Sequence, residues 1–239
     1  MPTLSIVVPV YNEEKTIAQI LDRVMAVDLV GGVARQLVAV DDCSQDDSFR
    51  ALKRYQEAHP GLDLVVLRHD LNQGKGAALH TGIAAATGDY VIVQDADMEY
   101  DPADINRLLE PMLEGKADVV YGSRFLDKTV SHSRFFAHRL GNRTLTAWSN
   151  WFTGLRLTDM ETCYKLFHAE MIKGFPLKEK RFGFEPEVTA RVAKVKGVRV
   201  LEVPISYQGR TYEEGKKIGV KDALRTLYCV VKYRFARNS

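Results

Sequence analysis

Carboxylates with metal-binding spacing follow a strongly apolar run. Asp95, Asp97 and Glu99 come directly after the run from Tyr90 to Val93. Two aspartates in a D-x-D spacing at the end of a strand point the same way, and Mg²⁺ or Mn²⁺ favours such oxygen ligands together with substrate phosphates. D-x-D is common in acidic loops, but its position after an apolar strand favours a divalent-cation site.

Two other segments suit a nucleoside. Asp41 and Asp42 follow the second apolar run, and their carboxylates can accept hydrogen bonds from the edge of a nucleobase. Tyr11 and Glu13 follow the first apolar run. The tyrosine can stack on a base while the glutamate contacts the base or the ribose, although the same residues also fit a capped helix start.

A glycine-rich segment, Asn72 to Gly76, opens another predicted helix and contains Lys75. Glycines at a helix start allow close approach to phosphate. The segment lacks the P-loop spacing, and no G-x-G-x-x-G follows the first apolar run, which disfavours a P-loop nucleotide hydrolase and a dinucleotide-binding dehydrogenase.

Charge is divided unevenly along the 239 residues. Residues 1–114 contain 9 Lys and Arg against 19 Asp and Glu, a net −10, whereas residues 115–239 contain 24 against 12, a net +12. The asymmetry favours a cation partner for the first half and phosphates for the second, with a charge-matched internal contact as the alternative. Arginine forks and lysines in the basic half suit diphosphate.

Alternating apolar runs and helical patterns predict an α/β fold, a doubly wound sheet with helices on both faces. The predicted strands are Leu4–Val10, Gln36–Val40, Leu62–Leu67, Tyr90–Gln94 and Asp118–Tyr121, separated by helices over 13–27, 46–58, 75–86 and 102–113. Ligands of such sheets bind outside the carboxyl ends of the strands. The carboxylate and glycine segments should therefore converge on one site.

The second half predicts a helix over 135–152, a strand over 198–203 and a closing helix over 219–235. No linker separates the halves, so we expect one unit over 1–218, with a nucleotide-binding half (1–121) and an acceptor half (122–218). Residues 219–239 form a basic, amphipathic extension, which either packs on the core or lies on an anionic bilayer surface.

Several classes of protein are disfavoured. Three widely spaced cysteines without a C-x-x-C pair predict neither a disulfide framework nor a zinc site. We see no secretory signal and no run of about 18 apolar residues. The sequence therefore predicts a cytoplasmic protein, peripheral to a membrane surface or a membrane-embedded partner, with no nucleic-acid partner.

The order of these motifs resembles the family 2 glycosyltransferases of GT-A fold, and among them the dolichyl-phosphate mannose synthase-like enzymes. The residues that carry the resemblance are Val8–Glu13, Val40–Asp42, Asn72–Gly76, Asp95–Asp97 and Tyr121–Arg124. The resemblance covers nearly the whole chain. It implies an inverting, Mg²⁺- or Mn²⁺-dependent transfer from GDP-mannose or a UDP-hexose to a polyprenyl phosphate, dolichyl or undecaprenyl.

The resemblance also implies individual roles. Asp97 and Arg124 are the expected catalytic residues, and Asp95, Asp97 and Glu99 the metal ligands. The expected donor nucleotide site comprises Pro9, Tyr11, Glu13, Asp41, Asp42, Lys75, Asp95, Arg210 and Lys217. The expected acceptor-phosphate site comprises Arg124, His138, Arg139, Asn142 and Arg143.

Two segments depart from the pattern of the family. Residues 138–143 lack the usual basic residue followed by a small hydroxyl, and Thr158–Lys165 replaces the common Asp-Pro-x-Ser-Gly-Phe, which can mark a different donor or acceptor. A phosphate acceptor is already anionic and needs no general base. An alternative hydroxyl acceptor would need one, such as Asp159 or Glu161. A non-catalytic nucleotide-binding module is a further alternative, disfavoured by the intact D-x-D and Arg124.

Overall fold

The computed structural model describes residues 1–126, 136–209 and 220–236, with the side chains of 136–139, 220 and 221 left out. The strands are β1 Thr3–Val10, β2 Ala34–Asp41, β3 Leu64–Arg68, β4 Tyr90–Val93, β5 Val119–Ser123, β6 Lys165–His168 and β7 Val200–Pro204. The helices are α1 Ile17–Met25, α2 Ser48–Ala58, α3 Lys75–Ala85, α4 Ile105–Leu113, α5 Phe136–Thr153, α6 Ala169–Lys173, α7 Phe184–Val192 and α8 Val220–Phe235.

The seven strands form one sheet in the order β3-β2-β1-β4-β6-β5-β7. Strand β6 runs antiparallel to both of its neighbours, whereas the β1–β2, β1–β4, β2–β3 and β5–β7 pairs are parallel. The parallel strands bring the loops after β1, β2 and β4 to one edge. This edge is the carboxyl edge, where ligands of such sheets bind.

Two apolar layers cover the faces of the sheet. Ile6 and Val8 of β1 pack in one cluster with α1 and α4, while Val7 faces the other cluster with α3 and α7. A strand that is buried on both faces is apolar at nearly every position, which explains the continuous apolar run of β1. Helix α3 lies so close to the sheet that a side chain at Gly82 would clash with Val7.

The predicted α/β sheet is confirmed, as are its first five strands and the strand predicted near residue 200. The sequence prediction missed β6, a strand of only four residues that begins with the buried Lys165. It also missed α7, because all nine residues of that helix are buried, so no amphipathic pattern marks it. The division at residue 121 and the separate extension from 219 stay predictions.

Across the described ranges, none of the helices combines the length and apolar character needed to cross a membrane.

Candidate active site

Hydrogen bonds join the loop after β1 to the loop after β2. The Asn12 amide donates to Ser44 Oγ at 3.0 Å, and Asn12 Oδ1 accepts from the Gln45 amide at 2.8 Å. The Glu13 amide donates to Ser48 Oγ at 2.7 Å. The predicted nucleoside residues Pro9, Tyr11 and Glu13 are half-buried around this junction.

The carboxylate of Asp42 stabilises the neighbouring turn at residues 73–74. One of its oxygens accepts from the Gln73 amide at 2.9 Å and lies 2.7 Å from His69 Nδ1, and the other accepts from the Gly74 amide at 2.7 Å. Asp41 differs, because its fully buried Oδ1 has no hydrogen-bond partner among the described residues. The free acceptor atom of this pair therefore belongs to Asp41.

Lys75, the first residue of α3, neutralises Asp95. Lys75 Nζ lies 2.5 Å from Asp95 Oδ1 and donates to Cys163 Sγ at 3.0 Å. Burial opposes the charge on Asp95, but Lys75 outweighs it and lowers the pKa of that carboxyl below its ordinary value. Burial also raises the pKa of the Cys163 thiol, and Asp95 raises it further. The thiol is thus held neutral.

Asp97 lies in a cluster of carboxyls. Burial, then the nearby Asp95 and Glu99, raise the pKa of Asp97 to about 7. The backbone between Asp97 and Glu99 is unusual as well. Met98 has a left-handed φ of 65°, which is uncommon outside glycine. A buried carboxyl beside two other acidic side chains is a suitable ligand for a cation.

The residues fit a divalent cation that shares its ligands with a substrate. In the part of the chain that the structure describes, no three His, Cys, Asp or Glu side chains are grouped closely enough to hold a metal. Mg²⁺ usually takes only one or two protein carboxylates and fills its shell with water and phosphate, and Asp95 and Asp97 match that need. Glu99 accepts a hydrogen bond from the Tyr207 hydroxyl at 2.7 Å, so its role as a third ligand stays a prediction.

Arg124 forms a bidentate ion pair with Asp159. Its Nε and Nη2 donate to the two carboxylate oxygens at 2.7 and 2.8 Å, and both side chains are largely buried. The Thr158 and Asp159 amides donate to Glu202, which orients this turn. The guanidinium also lies 5.0 Å from the ring centre of Tyr207. Arg124 therefore points in a fixed direction, with Nη1 outside the Asp159 pair.

A third ion pair joins Lys165 to Glu185. Glu161 is a further buried carboxyl near this pair and near Arg124. Burial, then Glu185, raise the pKa of Glu161 to about 7, although Lys165 and Arg124 oppose the rise. Glu161 Oε1 is buried without a hydrogen-bond partner among the described residues. The pKa values of Asp97 and Glu161 are thus both raised to about 7.

The structure brings together the predicted residues of the first half and Arg124 through these contacts. The side chains of His138 and Arg139 lie outside the described residues, as do Arg210 and Lys217. Asn142 and Arg143 lie on α5, where Arg143 is exposed.

Sequence reasoning missed Cys163, Glu185, Glu202 and Tyr207. Only Cys163 carried a signal, because it lies in the segment that departs from the family pattern.

The comparisons with known proteins agree with the motifs. The family described as Glycosyl transferase family 2 matches residues 5–175. An undecaprenyl-phosphate 4-deoxy-4-formamido-L-arabinose transferase of Edwardsiella ictaluri is 30% identical over 95% of this chain. A dodecaprenyl-phosphate galacturonate synthase of Rhizobium johnstonii is 28% identical over 97% of it. The chain spans 66% of the length of each of these relatives.

A solved structure shows the same fold. Glucosyl-3-phosphoglycerate synthase from Mycobacterium tuberculosis, crystallised with Mn²⁺, uridine diphosphate and phosphoglyceric acid, matches with a TM-score of 0.71 and 20% identity. The match covers all of this chain and 80% of that one. The predicted GT-A fold is thereby confirmed.

Asp159→Asn should destabilise the protein by about 3 kcal/mol, because it leaves the Arg124 guanidinium buried without its counter-ion. Urea unfolding at pH 7 measures the change. Asp118→Asn is the matched control, because Asp118 forms a similar bidentate pair with Arg199, which is exposed. Equal, small losses in the two variants would contradict a buried, structurally required Arg124–Asp159 pair.

Proposed function

This chain belongs to glycosyl transferase family 2, and we propose that it moves a sugar from a nucleoside-diphosphate sugar to a polyprenyl phosphate. The observation that carries the proposal is the buried D-x-D at the carboxyl edge, where Lys75 pairs with Asp95, beside the fixed guanidinium of Arg124. The names of the two polyprenyl-phosphate relatives support the acceptor class. GDP-mannose and a UDP-hexose both remain candidate donors.

In this proposal one group of residues receives the nucleobase, a second binds the metal, and Lys75 holds the metal-binding Asp95. Asp41, whose buried Oδ1 has no partner among the described residues, and Tyr11 lie at the loop junction that would receive the nucleobase. Asp95 and Asp97 hold Mg²⁺ or Mn²⁺, which when bound supplies positive charge to the departing diphosphate. Lys75 keeps Asp95 ionised and in place.

The acceptor phosphate needs positive charge rather than a base. A phosphate monoester is anionic at neutral pH, so its oxygen can attack the anomeric carbon without losing a proton to the protein. Arg124 supplies charge through Nη1, because Asp159 accepts from Nε and from one N–H of Nη2. Catalysis then depends on orientation and on stabilising the charge that develops on the leaving group.

Asp97→Asn should reduce metal-dependent transfer at least about 100-fold, because it removes a charged ligand at the position where charge develops. Transfer to a short polyprenyl phosphate is measured with GDP-mannose and with UDP-glucose, each with Mn²⁺. Asp101→Asn is the control, because Asp101 forms an exposed pair with Arg23. Retained Mn²⁺-dependent transfer by Asp97→Asn would refute the metal assignment.

A second candidate function is transfer to a hydroxyl acceptor, which requires a general base. Asp159 does not suit this role, because Arg124 occupies both of its oxygens. Glu161 does, since its Oε1 is unbonded within the described residues and burial raises its pKa to about 7. This arrangement favours Glu161 as the base if the acceptor is a hydroxyl.

Glu161→Gln distinguishes the two acceptors. A hydroxyl acceptor predicts wild-type activity that rises as pH increases through about 7, where Glu161 loses its proton, and a loss of about 100-fold in the variant. A phosphate acceptor, which we favour, predicts the same pH profile of kcat/KM for both proteins. A variant that loses the rise near pH 7 would overturn the phosphate assignment.

We further propose that α5 and α8 rest on an anionic membrane surface. Trp151, Leu224, Tyr228 and Phe235 are 56–77% exposed, and an apolar cavity of about 440 Å³ lies beside Trp148 and Leu227. Exposed basic residues accompany them, namely Arg143, Arg225 and Arg234. Exposed aromatic side chains next to arginines are typical of interfacial helices.

The double variant Trp151→Ser/Phe235→Ser should weaken binding to phosphatidylcholine–phosphatidylglycerol vesicles at least about tenfold, because each side chain contributes about 1.5–3 kcal/mol when buried in lipid. Co-sedimentation measures binding. Leu71→Ser is the control, because Leu71 is 75% exposed in the loop after β3. Equal binding by the double variant and the control would exclude this surface.

A further inference from the structure

Three side chains of α8 converge on one buried carboxylate. Glu179 lies between α6 and α7 and is 6% exposed. Arg225 Nη2 contacts its two oxygens at 3.0 and 2.8 Å, Lys232 Nζ lies 2.9 Å from Oε1, and the Tyr233 hydroxyl donates to Oε1 at 2.7 Å. Burial opposes the charge, but these donors lower the pKa of Glu179 to about 2. Helix α8 is therefore fastened at Glu179.

The backbone beside Glu179 is held from a second side by α7. Glu187 is fully buried and accepts from the Lys178 amide at 2.9 Å and from the Glu179 amide at 2.7 Å. Arg191 adds a bond to the Pro176 carbonyl at 3.1 Å. The segment 176–180 is thus clamped between α7 and α8.

The same segment lies against the first turn of α3. The Lys180 carbonyl accepts from the Ala77 amide at 2.9 Å, and Lys180 Nζ donates to Gln73 Oε1 at 3.2 Å. A side chain at Gly76 would clash with the Glu179 carbonyl, and one at Gly74 would reach within 2.6 Å of the Lys180 carbonyl. Both glycines are needed for this close contact.

The first turn of α3 carries Lys75, which lies between these two glycines. Lys75 reaches Asp95 and Cys163 only if this turn keeps its place. The contacts are continuous from α8 through Glu179 and the Lys180 carbonyl to α3. The packing of α8 against Glu179 therefore constrains the position of the Lys75 amine at the proposed donor site.

We propose that Glu179 is a positioning residue of the active site: it ties α8 to residues 179–181, which hold the first turn of α3 and so hold Lys75 against Asp95. The importance of this positioning for turnover rests on the function proposed above. The positioning itself is a property of the fold and is measured without turnover.

Glu179→Gln removes the charge while keeping the size of the side chain. Two measurements report on local opening of α3. One is hydrogen exchange of the amides of residues 76–80, and the other is the rate at which acetic anhydride acetylates Lys75, with the modified residue identified by mass spectrometry. Both should increase at least about tenfold, because loss of charge-assisted hydrogen bonds favours local opening. Asp118→Asn is the control and should leave both rates at the wild-type value, since its ion pair lies at the opposite edge of the sheet.

Arg225→Gln tests the same link from the α8 side and keeps the proposal testable if Glu179→Gln does not fold, because Arg225 is half-exposed. Faster exchange confined to residues 222–236, with α3 and Lys75 unchanged, would overturn the proposal, because Glu179 would then only tether α8. In transfer assays, kcat should fall as Lys75 acetylation rises. A wild-type protein without transferase activity would refute the proposed function and leave the labelling result standing.

Discussion

Buried charge at the carboxyl edge of the sheet is the constraint on which the rest of the structure depends. An unpaired charge in the interior costs several kcal/mol, so a buried carboxylate needs a cation or several hydrogen-bond donors held in a defined place. Asp95 receives Lys75 from α3, Asp159 receives Arg124 from the end of β5, and Glu185 receives Lys165 from β6. These pairs join α3 to the loop after β4, the end of β5 to the turn at Asp159, and β6 to α7, so the same contacts serve the site and the architecture.

The carboxyls whose pKa is strongly raised are the candidates for functional groups. Asp97 and Glu161 have pKa values raised to about 7, whereas Asp95 beside Lys75 is held below its ordinary value. A cation bound between Asp95 and Asp97 would offset the mutual repulsion of these carboxyls, which is a reason to assign the metal to the D-x-D. Groups with strongly shifted pKa values cluster at functional sites, because acid, base and ligand roles require such shifts.

Local patterns predicted much of this arrangement, and long-range contacts account for the rest. The strand ends placed Asp41 and Asp95 at one edge, because apolar runs and helix starts are visible within a few residues. The hydrogen bonds of Asp42 to the 73–74 turn and the ion pair of Arg124 with Asp159 could not be predicted from local sequence patterns. The partners are about 30 or more residues apart. Glu179 gave no signal at all, because its partners lie on the last helix.

The ion pairs of the fold bear on the opposite net charges of the two halves. If they formed a charge-matched internal contact, ion pairs would cross from one half to the other. Lys116–Glu114 joins the two halves across two positions, whereas Arg124–Asp159, Lys165–Glu185 and Arg225–Glu179 lie within the second half. The basic half thus supplies counter-ions for its own buried carboxylates. Its exposed Arg143 and Arg234 lie on the surface, where phosphates or an anionic surface can reach them, while the D-x-D of the acidic half suits a cation.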